Sequence, residues 1–296
     1  MNGSGEAAIR TVGLFVSLHR PQAREAAGPL AEKLRHAGVS VRTSREVAEQ
    51  TGLRAGIVAP ESVVDADLVI VLGGDGGLLQ VARSAAPLGV PILGIDMGSF
   101  GFLADSSLEV LHEKLADILR GEFQVEERLM LQASVRRGSA VLGPWLGLND
   151  VVMGVLSYSH LLRFSITLDD EEVANYSADG LIVATSTGST AYSLSAGGPV
   201  VDPHVECFIL TPICPHTLQA RPVVVSPRTV VSVKINRDGD RPSDLALDVD
   251  GRQAVDLQEG DIIAIREAPF KARLVRVGAT TFYSRLRDKL NWGTSH

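Results

Sequence analysis

Residues 73–77 read Gly73-Gly74-Asp75-Gly76-Gly77, four glycines around one carboxylate. They follow five apolar residues, 68–72, and precede Leu78-Leu79-Gln80-Val81-Ala82-Arg83, which has a helical pattern. An uninterrupted apolar run of that length reads as a strand buried on both faces of a parallel sheet. Strand, glycine turn and helix in succession aim backbone N–H groups and a helix N-terminus at a phosphate. Glycine in such a turn permits φ > 0 and lets a ligand approach the main chain. A carboxylate at the centre of an anion-binding turn is poor design for binding alone, so Asp75 is expected to take a proton or hold a metal. Glycine-rich turns also arise for steric reasons, and taken alone this one divides structure and function about equally. The chain has no G-x-x-x-x-G-K-[ST] and no G-x-G-x-x-G after a strand, so it is neither a P-loop protein nor a standard dinucleotide binder.

The second chemically suggestive passage starts at Asp179. A short apolar run, 181–184, leads into residues made mostly of Ser, Thr, Gly and Ala, interrupted by Tyr192 and ending at Gly197-Gly198-Pro199. Small hydroxyl residues supply donors and acceptors without bulk, as a ligand rich in hydroxyls requires. Asp179 can accept hydrogen bonds from an amide or from ribose hydroxyls. Asn149-Asp150 sets an amide beside a carboxylate, a pair found most often in turns and caps.

Alternating elements must position these groups. Residues 11–18 and 39–43 read as strands, with a helix between them that has Pro21 in its first turn, Leu30 and Leu34 on one face, and Gly38 as its stop. Gly28-Pro29 is expected to kink or restart that helix. Residues 44–62 are ambiguous, a loop with a short helix. Residues 90–96 form another buried strand, and 97–103 a second glycine-bearing loop. Ser106-x-x-Glu109 reads as a capping box for a helix with Leu108, Leu111, Leu115, Ile118 and Leu119 on one face, ended by Arg120-Gly121. Such alternation argues for a parallel α/β layer, whose ligands bind at the carboxyl ends of the strands.

Beyond Phe123 the period changes to two. Residues 162–168 and 231–235 alternate, 169–172 read as a solvated turn, and 236–240 as a hairpin tip. Further strands are expected at 223–225, 245–249, 262–265 and 272–277. The expected architecture is an α/β domain with a parallel sheet (1–124), a β-rich, sandwich-like domain (125–277), and a C-terminal segment (278–296) packing back as a helix over 282–292.

The length of 296 residues suits two domains. A net charge of −7 without a long basic run disfavours nucleic acid and anionic membranes as partners. Cys207 and Cys214, the only cysteines, have no zinc-motif spacing and read as reduced thiols. Neither a signal peptide nor an apolar span is visible, and a cytoplasmic protein is expected.

Taken together and in order, Gly73-Gly-Asp-Gly-Gly77, Gly98-x-x-Gly-Phe-Leu103, Asn149-Asp150, and Asp179-Gly-Leu-Ile-Val-Ala-Thr-x-Thr-Gly-Ser-Thr-Ala-Tyr-x-x-Ser-Ala-Gly-Gly-Pro199 strongly resemble the NAD kinase family, over about residues 11–277. Pro215-His216-Thr217-Leu218 with Arg221-Pro222 is similar to that family too. The first motif is shared with lipid kinases and phosphofructokinases, whereas Thr-Gly-Ser-Thr-Ala-Tyr is far more specific. The resemblance implies phosphorylation of the adenosine-ribose 2′-hydroxyl of NAD, giving NADP, with Mg²⁺ carried by ATP. It implies Asp75 as general base and Gly73, Gly74, Gly76 and Gly77 as the phosphate turn, with Gly76 also against NAD. Phe102 would lie near the adenine, and Asn149 and Asp150 on the adenosine. Asp179 would hold the nicotinamide end, with Thr190, Ala191, Tyr192 and Ser195 along an NAD cleft between domains and His160 and Arg252 as further contacts. A homodimer or homotetramer is also implied.

Two positions depart from the family's pattern. Gly77 stands where Thr is usual, removing a hydroxyl from the turn, and Asp150 where Glu is usual. The phosphoryl donor stays open between ATP, another nucleoside triphosphate and polyphosphate. A diacylglycerol-type lipid kinase and a non-catalytic NAD(P) sensor are the alternatives.

Overall fold

The structure, a computed structural model, describes residues 9–53, 56–98, 101–104, 106–155, 162–236, 245–278 and 280–290. The chain divides into two units, residues 1–127 with 271–296, and residues 128–270.

The first unit contains strands β1 (Thr11–Val16), β2 (Ser40–Ser44), β3 (Gly56–Val58), β4 (Leu68–Gly73), β5 (Ile92–Asp96) and β6 (Gln124–Arg128), together with a strand from near the chain's end, Ala272–Arg276. Their order is β3-β2-β1-β4-β5, then Ala272–Arg276, then β6. The first five are mutually parallel. β4 is buried along its whole length, because Leu68, Ile70 and Leu72 face one layer while Val69 and Val71 face the other. Helices α1 (Pro21–His36) and α4 (Leu108–Leu119) supply Leu30, Leu34, Leu111 and Ile118 to the first layer. Helix α3 (Asp75–Ala85) buries Leu78, Val81, Ala82 and Ala85, the spacing of one helical stripe. The order of strands reverses between β1 and β4, and their carboxyl ends, at Ser17 and Gly73, open the crevice where such sheets bind ligands.

Several local expectations are corrected. α1 runs unbroken through Gly28-Pro29, with Gly38 just past its end at φ +80°. Residues 44–62 form helix α2 (Arg45–Thr51), capped by the Ser44 hydroxyl, then β3 and a 3₁₀ turn, Pro60–Val64. The cap of α4 is Ser107, which accepts from the Val110 N–H at 3.4 Å. Ser106 instead bridges to Ile95, so the Ser106–Glu109 capping box does not form. Ala272–Arg276 lies in this sheet beside β5, although the succession of short strands before it pointed to the β-rich region. Its Val275 joins the apolar core of the first unit. The last helix, α6 (Phe282–Leu290), begins where Thr281 and Ser284 exchange side-chain-to-backbone hydrogen bonds of 3.2 and 3.1 Å.

The second unit holds twelve strands in two six-stranded sheets. One sheet contains β7 (Leu131–Arg137), β8 (Ala140–Gly147), β10 (Leu162–Leu168), β11 (Glu171–Ala178), β15 (Val231–Ile235) and β18 (Ile262–Glu267). The other contains β9 (Asp150–Val155), β12 (Gly180–Thr185), β13 (Phe208–Ile213), β14 (Val223–Val225), β16 (Leu245–Val249) and β17 (Arg252–Leu257). Their inner faces share one core, including Phe164, Val233 and Ile263 from the first and Val151, Met153 and Leu181 from the second. This is the sandwich-like packing expected from the period-two segments. The 169–172 turn contracts to Asp169 and Asp170, both left-handed, while Glu171 and Glu172 open β11. The 236–240 hairpin tip lies outside the described residues beyond Asn236.

Candidate active site

The Gly73–Gly77 turn sits at the carboxyl end of β4. Gly74 is the N-cap of α3 in an extended conformation, φ −131°, and none of the four glycines is left-handed. The left-handed freedom that glycine permits is not used here; at Gly73 and Gly77 it is close packing that favours glycine. A methyl group on Gly73 would overlap the Ser17 hydroxyl. One on Gly77 would come within 3.1 Å of the Phe15 ring, 3.2 Å of Val71 and 3.3 Å of Ser17 Oγ. Ser17 was not singled out from the motifs, yet its buried hydroxyl lies beside Gly77. Gly76 is open, with nothing near a built Cβ. Gly77 and Leu78 donate back to the Gly74 carbonyl at 3.1 and 3.3 Å. That leaves the N–H groups of Asp75 and Gly76 in a first helical turn that offers them no intrahelical acceptor.

Asp75 has a partner that the spacing did not reveal. Its Oδ2 accepts from the Phe102 N–H at 2.8 Å, and its Oδ1 from Leu103 and Ala104 at 3.1 and 3.4 Å. Gly101 completes the wrap, since a Cβ there would overlap the carboxylate. The glycine loop after β5 is thus tied to the turn after β4. Met97 N–H also donates to the Gly73 carbonyl, and Arg20 Nη1 to the Met97 carbonyl, at 3.0 and 3.3 Å. Two further cations come from α6. Arg285 Nη1 donates to the Phe102 carbonyl at 2.6 Å, and Lys289 Nζ lies 4.3 Å from the centre of the Phe102 ring. These contacts link residues more than 180 apart in sequence, which no local motif encodes.

In the second unit, Asn149 and Asp150 lie at the entry to β9, against the end of β12. Asp250, in the turn between β16 and β17, accepts from the backbone N–H groups of Leu148, Asn149 and Asp150 at 2.9, 2.8 and 3.2 Å. Asp250 is not among the residues the motifs point to; the Asp250-Gly251 turn dipeptide was the available signal, and in the structure Asp250 is left-handed at φ +49°. The Asn149 Oδ1 is buried and unpartnered. Burial, foremost, with Asp250 and Asp248 beside it, pushes the Asp150 carboxyl up to about 7.

The passage after β12 is ordered, not a flexible loop. Thr187–Thr190 form a 3₁₀ turn and Tyr192–Ser195 a single helical turn, α5. Thr185 Oγ1 donates to the Leu148 carbonyl at 2.6 Å and accepts from the Gly188 N–H at 3.2 Å. A side chain on Gly188 would overlap the Asn149 carbonyl. Ser189 closes a two-way bond with the Val201 backbone, and Ser193 bonds Thr211 at 2.9 Å. Several of the hydroxyls thus hold the turn in place. The residues left facing outward are Tyr192, 47% exposed, and Ser195, with Thr190 and Ala191 half-buried. Asp179, Tyr192, Asp248 and Gly154 line a cavity of about 380 Å³. Arg252 opens β17 and is exposed. His160 lies outside the described residues.

Known proteins share both units. A model of the ATP-NAD kinase N-terminal domain matches residues 12–123, and one of the ATP-NAD kinase C-terminal domain matches 148–277. The NAD kinase of Moorella thermoacetica is 42% identical over 287 residues, covering 97% of this chain and 91% of that protein. The NAD kinase of Geobacter sp. strain M21 is 38% identical over 288 residues, covering 96% and 99%. In fold, the chain is similar to yeast NADH kinase complexed with NADH, with a TM-score of 0.91 at 24% identity, covering 98% of this chain and 90% of that one. It is also similar to an NAD kinase from Archaeoglobus fulgidus in complex with ATP, with a TM-score of 0.72 at 27% identity, covering 96% and 98%.

Proposed function

The chain belongs to the NAD kinase family and phosphorylates NAD, and from that premise we propose that Asp75 is the general base, that ATP is the donor, and that the 2′-hydroxyl of the adenosine ribose is the acceptor. The observation that carries the reading is the place of Asp75, in the first turn of α3 at the point where strand order reverses. The NAD kinase from Archaeoglobus fulgidus is in complex with ATP, which supports that donor here.

A ribose hydroxyl is a weak nucleophile. A carboxylate has about four lone-pair sites, and three of those on Asp75 already meet backbone N–H groups. The site left over is on Oδ2, which is the atom assigned to the hydroxyl proton. As the hydroxyl oxygen bonds the γ-phosphorus, its proton passes to Oδ2, the bond to the β-phosphate bridging oxygen breaks, and ADP leaves. Positioning by the backbone supplies much of the rest, and the N–H groups of Asp75 and Gly76 are the ones directed at phosphoryl oxygens.

Among the described residues no cluster of three metal-ligating side chains occurs. One or two carboxylates with substrate phosphates suffice for Mg²⁺. Asp96, paired with Gly73 across β4 and β5, puts one carboxylate beside the turn, so the donor set fits an ion carried in with ATP. Such an ion would neutralise phosphoryl charge.

In the second unit, the Asn149 amide and Asp150 are assigned to the adenosine. Asp179 is assigned to the nicotinamide end, with Thr190, Ala191, Tyr192 and Ser195 as further contacts. Exposed Leu218, Val223 and Val224, the last two on edge strand β14, support a homo-oligomer, which sedimentation would test. Among the described residues no helix is long and apolar enough to cross a membrane; a cytoplasmic location is part of the same proposal.

The decisive assay mixes protein, NAD, ATP and Mg²⁺ and reads NADP through an NADP-specific dehydrogenase. NADP formation with ATP supports the donor. Formation with polyphosphate alone would overturn it.

A further inference from the structure

The phosphate turn carries no lysine of its own, yet the last helix brings one to it. Phe282, Arg285 and Lys289 share one face of α6, and all three meet Phe102. The two rings stand 6.4 Å apart, the guanidinium donates to the Phe102 carbonyl, and the ammonium lies over the ring. Phe102 in turn donates its N–H to Asp75.

Lys289 is half-buried, and burial, foremost, with Arg285 nearby, lowers its pKa, while the Asp75 and Asp96 carboxylates raise it. Among the described residues its Nζ makes no hydrogen bond or ion pair; the ring is its contact. An ammonium has three donors, and a ring face satisfies none of them as an oxygen would. Two carboxylates at the strand ends would also repel an arriving polyphosphate, so a positive charge is needed at this edge.

We propose that Lys289 is a further catalytic residue, whose ammonium binds the donor's phosphoryl oxygens at the Gly73–Gly77 turn and stabilises the charge that develops on the leaving diphosphate. This rests on placing the donor's phosphates at that turn. Arg285, buried and bonded to the Phe102 carbonyl, is a positioning residue that seats α6 on the loop.

A purely structural Lys289 would only hold Phe102. Lys289→Met separates the two roles, because a thioether still packs on an aromatic ring but carries no charge. The expected result is a loss of about 10²-fold or more in kcat/KM for ATP. NAD affinity and the unfolding temperature should stay near wild type. In Lys289→Ala, added propylammonium should restore turnover and propanol should not. Lys289→Met with wild-type kcat/KM for ATP, or equal rescue by propanol, would overturn the proposal while leaving the donor assignment intact. Wild type that makes no NADP from ATP would overturn both.

Discussion

Asp75 Oδ2 accepts the backbone N–H of Phe102 at 2.8 Å across 27 residues of sequence. With Leu103 and Ala104 on the other oxygen, this bond makes the carboxylate a tether for the loop after β5. The same side chain is proposed as base, so the two roles must be separated by experiment.

Asp75→Asn is therefore not a silent exchange. Both oxygens accept N–H donors, so an amide must turn its NH₂ toward one of them. Turnover is expected to fall by about 10²–10⁴-fold from loss of the base, and stability by about 1–3 kcal/mol from an unsatisfied donor. Initial rates and denaturant melts, run on the same preparations, measure both. Near-normal turnover would remove Asp75 from the base role.

Gly101→Ala disturbs the tether without touching the carboxylate chemically. Its methyl group would overlap Asp75, so the loop must shift. Overpacking of this kind costs about 1–3 kcal/mol, and turnover should drop through a misplaced base. Steady-state rates with a thermal melt test it, and an unchanged kcat would show that the loop moves freely.

The Asp150 carboxyl, raised to about 7 mainly by burial, makes stability depend on pH. Below the ordinary carboxylate range both folded and unfolded chains hold the proton, and Asp150 contributes nothing. As pH rises from about 4 to about 7, the unfolded chain releases the proton first and stability falls. Above that window the loss is complete. Asp150→Asn should flatten this decline and be the more stable form at neutral pH, by up to a few kcal/mol. Denaturant midpoints of both proteins between pH 4 and 8 would show it, and parallel curves would refute it.

Asp250 holds the Asn149-Asp150 backbone by three N–H groups. Asp250→Ala strands those donors, at about 1–3 kcal/mol for each buried group left unpaired. The KM for NAD should rise by about tenfold or more, with a smaller change in kcat, if Asn149 and Asp150 bind ground state and transition state alike. Melting and NAD titration are the checks.

Gly77 and Ser17 should be coupled. Gly77→Thr presses its Cβ on Ser17 Oγ, Phe15 and Val71, so it is expected to destabilise the chain. Ser17→Gly removes one of those neighbours and should relieve part of the strain. A double-mutant cycle in stability is expected to give an interaction of about 0.5 kcal/mol or more; strict additivity would sink the idea.

Much of the architecture was legible in the chain itself. An all-apolar run at 68–72 and alternation at 162–168 and 231–235 reflect burial on two faces and on one, and local period carries that information directly. The Gly73–Gly77 turn, Asn149-Asp150 and the Asp179–Pro199 passage could be picked out because their composition is unusual over a few consecutive residues. Tertiary structure alone decided what those groups touch. The Phe102–Ala104 amides on Asp75, the Asp250 carboxylate under Asn149-Asp150, Ser17 behind Gly77, and Lys289 over Phe102 all join segments distant in sequence. The strand at Ala272–Arg276 shows the same limit. Short spacing and apolar content state that a segment is a strand, but its sheet depends on which edge offers unpaired backbone groups and an apolar layer for Val275.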